Sequence, residues 1–257
     1  MLTEKDKKEV CLLVDVLNTI KQQNNNNKVC LKVCGDALNV ASAILNNKTT
    51  KNYLLKITQH CGKMQGINSL STYKLVCETC LSLKNDAKTI CHRCYADRQL
   101  SIYKQLAPSL IYNTLLLKYT KLHTRQLPVI NASYFRFEAF SDLQNARHLQ
   151  NLYAIAKHNP QTHFALWSKN LKLLLQYKAP KNINIILSNY FLNSCIFDEY
   201  TAAKIKQLAG AKHVKIFTVY DKKHITSVSQ NCEKKCITCL KCYKKSDPIM
   251  FVNELLK

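Results

Sequence analysis

Apolar residues in the first fifty positions recur at a helical spacing. In residues 7–21 they occupy every third or fourth position, at Val10, Leu13, Val14, Leu17 and Ile20. This spacing is typical of one face of an amphipathic helix. The polar tract KQQNNNNK follows with the composition of a solvated linker, and a second predicted helix covers 36–46. We therefore predict a small helical extension at 1–50.

Beyond this extension, short β-like runs alternate with helical runs. One β-like run, NYLLKIT, begins near residue 53, and the later ones lie at 133–140, 162–168, 183–189 and 213–220. Runs with helical periodicity separate them, at 142–159, 168–178 and 199–209. Helix formers also fill 96–121, where Pro108 is expected near the start of a second helix. This alternation predicts right-handed crossovers and a parallel sheet.

The predicted fold class is therefore α/β, with a partial or complete (β/α) barrel over residues 51–257 and the helical extension before it. In such folds the reactive groups collect at the carboxyl ends of the strands. The residues that follow each β-like run are the first places to look for a functional site.

The charge of the chain is strongly positive. It has 38 Lys and Arg residues against 16 Asp and Glu residues, a formal net charge of +22. Such an excess favours a polyanionic partner such as nucleic acid. A second explanation stays open, because a Lys- and Asn-rich composition also results from AT-rich coding.

Several classes of protein are excluded or disfavoured by absent patterns. No apolar run approaches the roughly 20 residues that cross a bilayer, so we expect no membrane partner. The first residues lack the features of a secretory signal, which indicates a reducing cytoplasmic location. No phosphate-binding or dinucleotide-binding glycine motif occurs, and the chain has only 4 Gly.

The first of two cysteine groups consists of two CxxC pairs. Cys77 and Cys80 are followed after ten residues by Cys91 and Cys94. Four thiolates at this spacing can enclose zinc in a closed structural site. Alternatively, Cys91, Cys94 and one upstream cysteine can hold a four-iron cluster and leave one iron open for a small molecule.

The second group, at about 230–245, is the run CxxxCxxCxxC formed by Cys232, Cys236, Cys239 and Cys242. It contains the CxxxCxxC spacing associated with radical S-adenosylmethionine enzymes, but those enzymes place it early, after the first barrel strand. We therefore expect a closed second site here, with zinc or an auxiliary [4Fe–4S] cluster. Nearby lysines would offset the thiolate charge, namely Lys234, Lys235, Lys241 and Lys244.

Other candidates lie on or just after the predicted strands. Arg136 and Glu138 alternate with Phe135 and Phe137, which predicts that both charged groups point to one face. Trp167 and Lys169 flank the end of the next strand. Trp167 is either a core residue or a platform for stacking, and Lys169 is either a surface lysine or a contact for a carboxylate or phosphate. His92 is an alternative metal ligand within CHRC. The remaining cysteines are expected to be buried thiols: Cys11, Cys30, Cys34, Cys61 and Cys195.

Residues 53–257 resemble the phage and prophage "gene product 88" family. The resemblance is carried by ICHRCYADR, FRFEAFSDLQNARHLQNLYAIAKHNPQTHFALWSKN, KIFTVYDK and NCEKKCITCLKCYKK. It implies a radical S-adenosylmethionine-like barrel, with Cys77, Cys91 and Cys94 as ligands of a [4Fe–4S] cluster and Cys80 as an additional candidate. It also implies a second metal site at Cys232, Cys236, Cys239 and Cys242.

The resemblance extends to a cofactor and partners. Ser141-Asp142 stands where the family has a glycine and an acidic residue, so Asp142 is expected to contact the ribose or amine of S-adenosylmethionine. Trp167 is the second expected cofactor contact, and the expected catalytic residues are Arg136, Glu138, Asp142 and Lys169. A flavodoxin or ferredoxin in the bacterial host cytoplasm would be the reductant. Two alternatives stay open, a zinc-dependent nucleic-acid-binding protein and an inactive barrel that serves as an interaction module.

Overall fold

The N-terminal extension consists of two helices in a computed structural model that describes residues 2–103, 105–210, 213–232, 234–244 and 246–256. Helix α1 spans Glu4–Gln23 and begins with a capping box between Thr3 and Asp6. Helix α2 spans Lys28–Leu45, and the side chain of Asn27 caps it by accepting from the Cys30 amide. The second helix is longer than predicted, because Asn27 within the polar tract is itself a helix cap.

Six parallel strands form one sheet whose spatial order is the order of the chain. They are β1 Ser69–Leu70, β2 Tyr134–Phe137, β3 His163–Ser168, β4 Ile183–Ser188, β5 His213–Tyr220 and β6 Phe251–Leu255. The α/β class and the parallel sheet are thus confirmed. Among the described residues β1 and β6 lie at opposite edges, so these strands form an open sheet and not a complete barrel.

Seven further helical segments follow the extension in the described residues. They are α3 Glu78–Lys84, α4 Tyr95–Ile102, α5 Leu106–Tyr119, α6 Ala146–His158, α7 Leu171–Leu174, α8 Glu199–Ala209 and α9 Cys236–Cys239. Helix α5 is buried almost all around, since its apolar residues contact α1 and α2 on one side and α6 on the other. The extension therefore packs on the main domain through α5. No helix in the described ranges is long and apolar enough to cross a membrane.

The sheet is covered on both faces. Phe164 and Leu166 of β3 pack with residues of α6 and α8 on one face, as expected for crossover helices. Ala165, which alternates with them, packs on the other face against Cys242 and Tyr243 of the C-terminal segment. Helices thus cover one face, and the second cysteine group covers the opposite face.

The β-like run that begins near residue 53 is not a strand of this sheet. Its backbone is held by Asn113 of α5, whose side chain accepts from the Lys56 amide at 2.9 Å and donates to the Lys56 carbonyl at 2.8 Å. Within the described part of the chain, its ladder contact is an antiparallel bridge between Thr58 and Ser69. The first strand, β1, lies outside the β-like runs that the sequence predicts.

Candidate functional site

The first cysteine group lies on the loop after β1, above the carboxyl edge of the sheet. We call residues 77–94 the cysteine loop. Cys77 precedes α3, Cys91 lies in a short 3-10 turn, and Cys94 precedes α4. The loop is tied to the segment after β4, where the Ile90 amide donates to the Tyr190 carbonyl at 2.8 Å. The first cysteine group therefore lies at the carboxyl edge of the parallel sheet, near the ends of β1 and β4.

The upstream pair of thiols rests against the segment that follows β2. Cys77 is fully buried, and its Sγ donates to the carbonyl oxygens of Asp142 and Leu143 at 3.8 and 3.9 Å. Cys80 Sγ lies 3.9 Å from Ser141 Oγ. A hydrogen bond to Cys77 and burial both raise the pKa of the Cys80 thiol. The two thiols are thus in contact with each other and with the β2 segment.

Asp142 joins the carboxyl ends of β2 and β3. Its buried carboxylate accepts from Ser168 Oγ at 2.5 Å, from the Lys169 amide at 2.8 Å and from the Leu143 amide at 2.7 Å. Hydrogen bonds to an ionised carboxylate are among the stronger ones in proteins. Asp142 therefore fixes the backbone from which Lys169 projects.

Lys169 lies near one thiol of each CxxC pair. Burial lowers the pKa of the Lys169 ammonium, but the negative groups of Cys91, Asp142 and Cys80 outweigh burial and raise it. For the Cys91 thiol, burial raises the pKa and the charge of Lys169 lowers it. One cation thus acts on both halves of the cysteine loop.

Glu138 and Arg136 do not point to one face, and this prediction is wrong. Strand β2 ends at Phe137, and Glu138 has a left-handed φ of +56°, which breaks the alternation. The buried Glu138 carboxylate accepts from Thr72 Oγ1 at 3.2 Å and lies 3.3 Å from His148 Nε2. Burial raises the pKa of this carboxyl, and His148 partly offsets the shift.

Arg136 and Trp167 lie on the face of the sheet that carries the second cysteine group. The guanidinium carbon of Arg136 is 3.9 Å from the centre of the Trp167 ring, a cation–π contact. Tyr243 covers the same indole, with 6.1 Å between ring centres. Burial raises the pKa of the Cys236 thiol, and the charge of Arg136 partly opposes it. Both residues therefore lie beside the second cysteine group.

The second cysteine group has a cation that the sequence did not indicate. Lys63 Nζ donates to Cys232 Sγ at 3.1 Å and also pairs with Glu254. Two of the predicted lysines make other contacts, since Lys235 donates to a Gln65 side chain and Lys241 to a backbone carbonyl. Lys63 lies about 170 residues earlier in the chain and has no charge pattern around it, so only the fold shows its role.

The cysteines of the second group differ in burial. Cys242 is 9% exposed, and burial together with Cys232 and Cys236 raises the pKa of its thiol. Cys232 and Cys236 are partly buried and pack against the same apolar cluster as Cys242, on the face of the sheet opposite the crossover helices. Three of the four predicted ligands thus lie together beneath the sheet.

Metal-binding geometry is not formed by either group. In the part of the chain that is described, no three His, Cys, Asp or Glu side chains are placed to hold one metal ion. His92 is exposed, with its Nδ1 3.1 Å from the Lys84 carbonyl. Of the cysteines outside the two groups, Cys30 and Cys34 are buried as expected, whereas the other three are exposed: Cys11, Cys61 and Cys195.

His60, beside β1, gives a pH-dependent prediction. Its Nε2 lies 2.7 Å from Ser69 Oγ, and its ring stacks on Phe140. Burial, assisted by Arg136, lowers the pKa of His60 from 6.5 to about 4. Between these pH values the unfolded chain binds a proton at this position and the folded protein does not. We therefore expect the free energy of unfolding to fall as the pH is lowered from 6.5 to 4.

Urea unfolding at both pH values measures this loss. The variant His60→Gln retains a hydrogen-bonding side chain without a titrating group, so its stability should fall less over the same interval. His158→Gln, at an exposed position of α6, should behave as the unsubstituted protein. An equal fall in all three proteins would show that other groups cause it.

Comparison with known proteins yields one match. A family model described as gene product 88 matches residues 40–246, which is more than half of the chain. No curated protein and no solved structure matches. The matched range includes both cysteine groups and begins within α2, so α1 lies outside it.

Proposed function

The chain belongs to the gene product 88 family, and from that premise we propose that it is a radical S-adenosylmethionine-like iron–sulfur enzyme with its cluster on the cysteine loop. The family name states no reaction, so the support comes from the site. The observation that carries the proposal is the contact of Cys77 and Cys80 with the segment that follows β2, where Asp142 also fixes the backbone of Lys169.

The donor set at this edge fits an iron–sulfur cluster chemically. Thiolates are the ligands that such clusters require, and cations near the sulfur atoms offset the negative charge. Cys91 and Cys94 would supply two ligands, and Cys77 or Cys80 the third. The charge of Lys169 lowers the pKa of the Cys80 thiol, against the larger effects of Cys77 and burial. With three thiolate ligands, one iron would stay open for the amine and carboxylate of S-adenosylmethionine.

The chain's own residues would position these groups. When bound, the cluster and S-adenosylmethionine together supply one-electron chemistry that no side chain provides. Asp142 holds the β2 and β3 ends together through three accepted hydrogen bonds, and Lys169 keeps a positive charge beside the thiols. A flavodoxin or ferredoxin would deliver the electron from outside.

The burial and hydrogen bonds of the second cysteine group favour a structural role for it. Cys242 is buried, and the Asn184 side chain donates to the carbonyls of Cys242 and Tyr243 at 3.1 and 2.9 Å. A closed site needs no open ligand position, and this segment is held against the sheet. We propose that Cys232, Cys236 and Cys242, with Cys239, hold zinc or an auxiliary cluster there. A protein with zinc at both groups is the alternative.

Anaerobic purification with metal analysis tests the proposal. We expect brown protein with the broad visible absorbance of thiolate-bound iron. The double variant Cys91→Ser/Cys94→Ser should lose the iron of the cysteine loop and retain the metal of the second group. Its matched control is Cys11→Ser/Cys61→Ser, at two exposed cysteines outside both groups, which should keep all the iron.

Two results would contradict the iron–sulfur assignment. Colourless protein that contains only zinc would support the alternative of a zinc protein. Equal iron loss in the control and in the loop variant would show that the iron is bound nonspecifically by exposed thiols. Folding of each variant is checked by circular dichroism, so that loss of iron is not confused with unfolding.

A further inference from the structure

A large cleft lies between the N-terminal helices and the main domain, away from both cysteine groups. Its volume is about 730 Å³. One wall is formed by the start of α1 and the turn after α2, and the other by the turn after α5 and the start of α6. This cleft is within the volume range of ligand-binding sites in proteins.

The rim of the cleft carries uncompensated positive charge. Four exposed cations line it, and none forms an ion pair with a described residue: Lys48, Lys51, Lys121 and Arg147. The one acidic residue among the lining residues is Asp6, whose Oδ2 accepts from the amide and hydroxyl of Thr3. We call this site the basic cleft.

A fifth cation of the cleft, Lys118, is neutralised. It is buried and lies 2.7 Å from Glu9 of α1. This ion pair connects α5 to the extension. Lys118 is therefore a structural cation, whereas the other four cations face solvent and have no carboxylate partner among the described residues.

The remaining lining suits phosphate groups. Two threonines and one asparagine offer hydroxyl and amide donors: Thr49, Thr50 and Asn47. The Thr120 hydroxyl and the Asn145 amide already donate to backbone carbonyls. Helix α6 begins at the cleft with Asn145 as its cap, and its first turn contains no acidic residue. The positive end of a helix dipole therefore adds to the charge of the side chains.

We propose that the basic cleft binds the phosphate backbone of a nucleic-acid strand. Several separate cations around one open cleft match a repeating anion better than a single small one. Tyr119 lines the cleft but is buried and donates its hydroxyl to Glu9 at 2.8 Å, so it offers no ring for a base to stack on. The exposed ring at the cleft is the imidazole of His123. With four exposed cations against one small ring, we expect binding to depend chiefly on the backbone and little on base sequence.

Fluorescence anisotropy of the full chain with a labelled oligonucleotide tests the site. The strand has about 20 nucleotides, more than the roughly 4–16 that one single-strand-binding fold covers. The variant Lys48→Ala/Lys51→Ala/Lys121→Ala/Arg147→Ala should bind roughly tenfold or more weakly at about 0.1 M salt. Loss of four phosphate contacts should also reduce the slope of log K against log salt by about 3.

The matched control removes the same number of charges elsewhere. Four exposed lysines that do not line the cleft are changed to alanine, namely Lys172, Lys204, Lys206 and Lys222. This control should retain most of the affinity and most of the salt slope. An equal loss in the control would overturn the site and leave only the general charge of +22 as the cause.

Two further outcomes would overturn the proposed ligand. A mononucleotide that binds as tightly as the strand would make the cleft a site for small phosphates. Preferential binding to phosphatidylserine vesicles over the oligonucleotide would make it a membrane-surface contact. Neither measurement depends on metal in the cysteine groups, so failure here leaves the iron–sulfur proposal unaffected.

Discussion

Tyr243→Ala is expected to lower the free energy of unfolding by about 3–5 kcal/mol. The ring is 1% exposed and packs between Tyr134 and Trp167, with ring centres 6.0 and 6.1 Å apart. It packs the C-terminal segment against the face of the sheet opposite the crossover helices. Removing it leaves a cavity that the surrounding residues fill only in part. Equilibrium denaturation in guanidinium chloride measures the change.

Two control variants separate packing from other effects. Tyr200→Ala removes a ring that is 73% exposed on α8, so its free energy of unfolding should change by less than about 0.5 kcal/mol. Tyr243→Phe should be neutral or stabilising, because the buried Tyr243 hydroxyl has no hydrogen-bond partner among the described residues. A large loss in Tyr243→Phe would mean that the hydroxyl has a partner. A small loss in Tyr243→Ala would mean that the segment does not cover the sheet in solution.

The strands of the main domain could be predicted where they are long and apolar. The predicted strand at 213–220 coincides with β5, and the predicted run at 162–168 differs from β3 by one residue. These strands are buried and lie between two neighbours, so their composition is dominated by β-branched and aromatic residues. The spacing of the helices between them then fixes a parallel arrangement.

The two edges of the sheet could not be predicted in the same way. Strand β1 has only two residues, Ser69 and Leu70, and β6 is preceded by the four-residue helix α9, which is too short to give a helical pattern. The run near residue 53 has strand-like composition, but Asn113 holds its backbone instead. Local propensity cannot identify such a partner, because it lies 57 residues away in the sequence.

The cysteines of the candidate site could be predicted from the sequence. Which charged residues lie beside each cysteine group could not. Cysteine spacing is a local signal, and both groups are visible in the sequence. The assignment of Arg136 to one face and Glu138 to another depends on one left-handed residue at the end of β2. A non-glycine residue with positive φ leaves no mark in the sequence pattern, so the predicted strand at 133–140 runs three residues past the end of β2.

Asp142→Asn is expected to lower the free energy of unfolding by about 2–4 kcal/mol and to weaken iron binding by the cysteine loop. The carboxylate accepts at both oxygens, from Ser168 and Leu143 at one and from the Lys169 amide at the other. An asparagine has only one acceptor oxygen, and its amide group would face one of these donors. The Lys169 backbone would lose its anchor, and the cation beside the thiols would move.

Asp15→Asn provides the matched control for Asp142, since Asp15 is exposed on α1 and the substitution makes the same change of charge. Its stability and iron content should equal those of the unsubstituted protein. Denaturation and iron analysis are made on the same preparations, because they report different roles. A loss of stability with full iron content would show that Asp142 stabilises the fold but does not affect the iron site. Full stability with lost iron would assign it to positioning the cluster environment. If neither changes, the carboxylate does not join β2 to β3 as its hydrogen bonds indicate.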